Sequence, residues 1–192
     1  MKTKAILALV VAGAMSFSAC TKKIDPKTLA DINQFGTDWT AMGEKATAWS
    51  NELTQTTQQA KEFAAKQAER ANSMTNSKDQ AMKTQIEQSV TAANENVSKL
   101  ENMQNEWNSF KATWDETTSQ FSAWKDKITK GEVTPEDAAK GLADFQTKMS
   151  DANNKIQSWS TSYAEVKTSY EQSMASAENT TPAQPEAETA KK

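Results

Sequence analysis

Between Gly43 and Gly131 the chain contains neither glycine nor proline. A stretch that long without the two residues that punctuate chains most strongly disfavours any β-rich, turn-rich fold. It reads as long helix, and the apolar residues agree. A first run places Ile32, Phe35, Trp39, Met42, Ala46, Trp49, Leu53, Thr56, Ala60 and Phe63 alternately three and four positions apart. All but Thr56 are apolar, and a mean spacing of about 3.5 is the seam of a left-handed coiled coil or long bundle. Beyond Phe63 the same register meets Gln67, Arg70 and Met74, so the seam is expected to weaken there.

Two further runs follow. One keeps a single heptad position apolar at Ile86, Ala93, Leu100, Trp107, Trp114, Phe121 and Ile128. Its partner position moves from Val90 and Val97 to Met103, Phe110 and Trp124, which widens or rotates the stripe near Leu100. The last run is Ala138, Leu142, Phe145, Met149, Ala152, Ile156, Trp159, Tyr163, Val166 and Tyr170. Its start is punctuated: Gly131 can end the preceding helix, Thr134 can cap, Pro135 suits the first helical position and Asp137 the first turn. The earlier break is weaker. A straight helix over 28–130 would be about 155 Å long, so a turn near Asn76 is expected, with Ser77 and Gln80 forming a capping box.

These runs define an all-α, antiparallel three-helix bundle or coiled coil, similar in arrangement to a spectrin-type repeat. The bundle spans 28–176, with helices near 28–74, 77–130 and 135–176 and a length of about 65 Å. Reflection about the two turns sets Trp39 level with Trp114 and Ala152, and Ala46 level with Trp107 and Trp159. It also groups Leu29 with Trp124 and Leu142, and Ile32 with Phe121 and Phe145. Large residues thereby meet small ones, as a packed layer requires. The six tryptophans, Trp39, Trp49, Trp107, Trp114, Trp124 and Trp159, are expected in the core. Seven acid-then-lysine pairs four apart, among them Glu62/Lys66, Asp79/Lys83, Asp144/Lys148 and Asp151/Lys155, are expected on the solvated faces. Residues 20–27 read as a tether and 177–192 as a polar, proline-bearing disordered tail.

Composition bounds the chemistry. There is no histidine and a single cysteine, Cys20. His-dependent catalytic arrangements are therefore excluded, as is a His/Cys zinc site if Cys20 is modified. The net charge of −3 offers no electrostatic footprint for nucleic acid. No catalytic motif and no cofactor motif is visible. Glu136 and Asp137 sit in a helix's first turn, where negative charge is favoured in any case. A non-enzymatic chain without cofactors is expected.

The N-terminus carries a different message. Lys2 and Lys4 precede an apolar or small run, Ala5–Phe17, then Ser18-Ala19-Cys20 and the polar Thr21-Lys22-Lys23. The run falls short of the roughly 20 apolar residues of a membrane-spanning helix. An ordinary cleaved signal would leave Cys20 as an unpaired exported thiol, and disulfides need pairs. The segment resembles the lipobox signal of bacterial lipoproteins, with Phe17 where Leu is usual. That resemblance implies a signal peptide over 1–19, cleavage between Ala19 and Cys20, and diacylglycerol on the Cys20 sulfur. Further acylation, such as a palmitate, would go on the new amine. Thr21 after the cysteine implies the outer membrane, facing the periplasm.

Taken together, these features describe a lipid-anchored envelope protein acting as a helical structural or interaction module. Its partners would be the membrane through the anchor, an envelope protein or peptidoglycan. Two other readings stand beside it. The lipobox, Lys23-Ile24-Asp25, the heptad body and the terminal Lys192 resemble, weakly, helical envelope lipoproteins of the Braun type. In that family the terminal lysine is joined to peptidoglycan. The long, Met-containing seams also fit a periplasmic holdase.

Overall fold

The computed structural model describes residues 23–178. Three long helices run antiparallel in sequence order: α1 over Pro26–Ser73, α2 over Gln80–Thr129 and α3 over Pro135–Glu178. The fold is an all-α three-helix bundle. At 50 residues, α2 is about 75 Å long. Direction is fixed by ring pairs. Trp39 meets Trp114 and Phe35 meets Phe121, so α1 opposes α2; Phe121 meets Phe145 and Trp107 meets Trp159, so α2 opposes α3. The end holding Pro26 and the α2–α3 turn is called the base, and the end near Asn76 the distal end.

Helix boundaries follow local chemistry. Asp25 Oδ1 accepts from the Lys27 amide at 3.3 Å with Pro26 in the first turn, and Ile24 packs against the core. Pro26 and Lys27, expected in the tether, are therefore already helical. At the α2–α3 turn, Gly131 takes φ +73°, a left-handed value suited to glycine. Its amide donates to Ile128 O, and Glu132 donates to Lys127 O, which closes a Schellman motif. Thr134 Oγ1 then accepts from the Asp137 amide at 3.1 Å and donates to its carboxylate at 2.8 Å. The first turn is made by Asn76, whose side chain accepts from the Lys78 amide at 3.1 Å and opens a 3₁₀ turn over Ser77–Asp79. Asn76 thus caps the 3₁₀ turn, while α2 starts behind Asp79 with no side-chain cap bond, so the expected Ser77–Gln80 box does not form. At the other terminus α3 continues through Glu178, and Ala177 is buried. Residues 177 and 178, expected in the tail, are therefore helical.

The core has an aromatic base and a distal half that mixes aliphatic residues with rings. The base cluster joins Ile32, Phe35, Trp39, Phe121, Ile128, Ala138, Leu142 and Phe145. Ala46, Trp107 and Trp159 form the layer above it, as the reflected register requires. Leu53, Ala60, Val97, Leu100, Tyr163, Val166 and Tyr170 follow. Leu29 departs from its expected layer: it is 38% exposed. Ile24 and Val133 pack against the base cluster instead. Beyond Phe63 the buried positions move to Ala64 and Ala71, one residue along from the weak register of Gln67 and Arg70.

The surface ion pairs also differ from expectation. Those that close within a helix are Lys27–Asp31, Lys83–Glu87 and Lys111–Asp115, with the lysine first. The expected partners of Asp144 and Asp151 are drawn elsewhere. Lys148 Nζ lies 5.2 Å from the Phe145 ring centre and Lys155 Nζ 5.1 Å from that of Trp159.

Two glycines inside helices make room for indoles. A methyl group at Gly141 would lie 2.5 Å from Trp124 Nε1, whereas one at Gly43 would lie 3.3 Å from Trp114 Nε1. Alanine gains about 1 kcal/mol over glycine in a helix, and overpacking costs about 1–3 kcal/mol. Gly141→Ala, the tighter of the two, is therefore expected to destabilise by up to about 2 kcal/mol. Gly43→Ala should stay within about 0.5 kcal/mol of the parent, because its gain and its crowding offset each other. Urea unfolding of the two variants checks the contrast.

Candidate functional site

Ala19, Cys20 and Lys192 lie outside the described residues, as does the signal peptide. The tryptophans divide into two groups. Trp39, Trp107 and Trp159 are buried, while Trp49, Trp114 and Trp124 are half-buried. The half-buried three still pack on the core: Trp114 stacks on Trp39 at 4.0 Å and 9°, and Trp49 on Trp159 at 5.7 Å and 5°. Trp124 lies against Phe145 at 5.3 Å. With the neighbouring phenylalanines the six form a ring-packed spine. Among the described residues, no group of three or more His, Cys, Asp or Glu could hold a metal ion, and no helix is long and apolar enough to cross a membrane.

A second feature emerges from polar side chains that heptad reading overlooks. On the base side α3 is held by apolar and ring packing, with a long contact from Lys148 Nζ to Gln120 Oε1 at 3.4 Å. From Trp159 onward several polar groups of α3 find partners on another helix. Trp159 Nε1 donates to Glu106 at 2.6 Å, and Asn96 Nδ2 donates to Ser169 Oγ at 3.2 Å. Arg70 donates to the Ala177 carbonyl at 3.1 Å, an orphan acceptor in the last turn of α3.

The densest of these contacts is a clasp between α1 and α3. Tyr163 Oη lies 2.7 Å from Thr56 Oγ1 and donates to Glu52 Oε1 at 3.1 Å, while Lys167 Nζ donates to the same carboxylate oxygen at 2.8 Å. With the phenol hydrogen given to Glu52, Thr56 is the donor of the first bond. The Lys167 ammonium, and then the Tyr163 hydroxyl, hold the Glu52 carboxyl below its ordinary range. Burial pushes the Tyr163 phenol up, with the Glu52 charge adding to it. Tyr170 is likewise raised by burial and by the Glu62 charge, and Lys167 is raised by its bond to Glu52. A half-step slip would separate the buried Thr56 hydroxyl from the Tyr163 phenol, which favours this register of α3.

The pH dependence of stability follows from those directions. Tyr163 and Tyr170 hold their protons more tightly when folded, so their contribution is complete below their ordinary value of 10.0 and is lost as pH rises through the folded values. Lys167 acts in the same sense from 10.5 upward. Glu52 acts in the opposite sense: its contribution is present above 4.5 and is lost as pH falls through its lower folded value. With no histidine to titrate between them, the thermal midpoint should be nearly flat from about pH 5 to 9 and fall on both sides. Circular-dichroism melts check this. Tyr163→Phe should flatten part of the alkaline limb, and Glu52→Gln part of the acid limb.

Comparison with protein-family models, curated proteins and solved structures finds no match. The functional reading therefore rests on this chain's own residues.

Proposed function

We propose that the chain is a non-enzymatic, lipid-anchored protein of the bacterial envelope, whose bundle serves as a rod-shaped spacer and interaction module. Lipid on Cys20 would hold the base at the outer membrane, facing the periplasm. The observation that carries this reading is where the rod starts. Helix α1 begins at Pro26, capped by Asp25, so six peptide links separate it from Cys20. Such a link spans at most about 20 Å. A lipidated Cys20 would thus keep the base close to the bilayer and aim the distal end away from it.

The packing favours a rod over a clasping holdase. The apolar faces of the three helices are spent on one another, and among the described residues Leu29 is the one large hydrophobic side chain left exposed. Crosslinking in intact cells, followed by membrane solubilisation, tests the interaction role. Discrete heavier species containing one defined envelope partner are expected. Recovery of free monomer alone at native abundance would overturn that role.

A further inference from the structure

We propose that the ring-packed spine is a one-electron conduit. It carries an oxidising equivalent, taken up at the half-buried tryptophans, to Tyr163, where the Glu52 carboxylate receives the phenolic proton.

Among aromatic side chains, indole and phenol give up an electron most readily, and an electron passes quickly between rings in contact. The rings here follow one another without a gap. Trp124 reaches Trp39 through Phe121, by steps of 5.8 and 5.7 Å between ring centres. Trp39 stacks on Trp114 at 4.0 Å. From Trp114 the path crosses Phe110 to Trp159 by steps of 6.1 and 5.3 Å. Trp159 stacks on Trp49 at 5.7 Å, and Trp49 meets the Tyr163 ring edge-on at 6.3 Å. Phenylalanine holds no charge along this path but bridges the indoles on either side. Phe145, which touches Trp124, lies about 27 Å from Tyr163 along α3. Trp49, Trp114 and Trp124 are half-buried, so a diffusing one-electron oxidant meets their edges.

The far end of the path is built to receive the charge. An electron lost from a buried indole leaves a positive charge in an apolar core, which is costly. Tyr163 is itself buried, yet its hydroxyl donates to Glu52 Oε1 at 3.1 Å. Lys167 Nζ donates to the same oxygen at 2.8 Å and keeps that carboxyl ionised. When oxidised Trp49 takes an electron from the phenol, the O–H bond breaks and its proton passes to Glu52. Trp49 is restored, Tyr163 becomes a neutral radical and Glu52 a neutral acid, and the oxidant has been reduced by one electron. The positive charge is left on the Lys167 ammonium, now without its counter-charge. That side chain is 41% exposed, so water and salt screen it. Trp159 is an intermediate stop of the same kind, because its Nε1 donates to Glu106 at 2.6 Å. A phenol that sheds its proton is oxidised more easily than an indole, so the equivalent moves on to Tyr163.

Pulse radiolysis of the full-length, detergent-solubilised protein tests the conduit, with the azide radical as a one-electron oxidant that attacks indole first. The indolyl absorption should decay as the tyrosyl absorption grows, at a rate independent of protein concentration. The chain has two tyrosines, Tyr163 and Tyr170. Tyr170→Phe should leave that growth intact, and Tyr163→Phe should cut it at least ten-fold. Should Tyr163→Phe not fold, growth in Tyr170→Phe still assigns the radical to Tyr163, the one tyrosine left. Trp49→Phe keeps a ring in place but removes the last indole, and should slow the transfer at least ten-fold. Glu52→Gln removes the proton acceptor and should slow it by a similar factor. Circular-dichroism spectra check that each variant keeps its helices. Tyrosyl growth that scales with protein concentration, or that either Trp49→Phe or Glu52→Gln leaves at the parent rate, would overturn the proposal. So would an indolyl signal that fades with no tyrosyl signal behind it.

Discussion

Cys20→Ser is expected to move the protein from the membrane pellet to the soluble fraction without unfolding it. The hydroxyl of serine does not replace the thiolate that takes diacylglycerol, so the anchor is never attached. Each buried methylene contributes about 0.8 kcal/mol, and a single acyl chain binds only marginally, whereas two or three hold a protein effectively permanently. The change is therefore expected to be nearly complete rather than graded. The bundle should be indifferent to it, because α1 starts at Pro26 with its own cap at Asp25. Among the described residues no helix is long and apolar enough to cross a bilayer. Fractionation with a matched circular-dichroism spectrum separates the two questions. A variant that stays in the pellet with native helicity would refute lipid anchoring through Cys20. Intact-mass measurement of the parent protein's N-terminal peptide gives the direct check, since an unmodified thiol there is incompatible with the proposed function.

The helices were legible because their physics is periodic. Seam positions such as Ile32, Trp39, Leu100, Phe121 and Tyr163 announce themselves through spacing, and all are buried. The turn at Gly131 was legible because a left-handed residue there, followed by a threonine cap and Pro135, has few other uses. What escaped was whatever depends on two helices at once. Gln67 and Arg70 interrupt the seam on paper, yet α1 continues to be buried through Ala64 and Ala71. Alanine carries so little hydrophobic signal that a shift of one position passes unnoticed. Leu29 erred the other way: it is apolar and well spaced, but its neighbour Thr28 takes the half-buried position, and Ile24 and Val133 pack on the end of the core instead. Gly141 reads as a weak helix residue until Trp124 is found pressed against it. The clasp was invisible for the same reason, since Glu52 and Lys167 are ordinary surface residues until α1 and α3 lie side by side. The surface ion pairs illustrate the limit of local rules. Lysines expected to reach back to acids were claimed by rings and by other carboxylates, at differences of a few tenths of a kcal/mol that sequence spacing does not resolve.

Trp39→Ala should be the most damaging single change among the tryptophans. The residue is 3% exposed and touches more rings than any other tryptophan in the base cluster: Phe35, Trp114, Phe121 and Phe145. Truncating a buried tryptophan costs about 3–5 kcal/mol, from lost transfer energy plus the cavity left behind. Against a total stability of about 5–15 kcal/mol for a domain, that is enough to leave a measurable unfolded population. The cavity should collapse poorly, since its walls are rings held by each other. Trp114 would also lose the face it stacks on at 4.0 Å. Trp39→Phe isolates a smaller part of the cost. It keeps an apolar body but loses the bond from Nε1 to Thr118 Oγ1 at 2.9 Å. Because Thr118 also donates to the Trp114 carbonyl and is exposed to water, it is not stranded, and a loss of about 1–2 kcal/mol is expected. Trp124→Ala, at a half-buried position, should fall between the two. Urea titration at constant m-value gives the ranking. Near-ultraviolet circular dichroism should register the loss of the Trp39–Trp114 stack in the first variant. If Trp39→Ala proves no worse than Trp124→Ala, the aromatic base is not the structural centre of the rod.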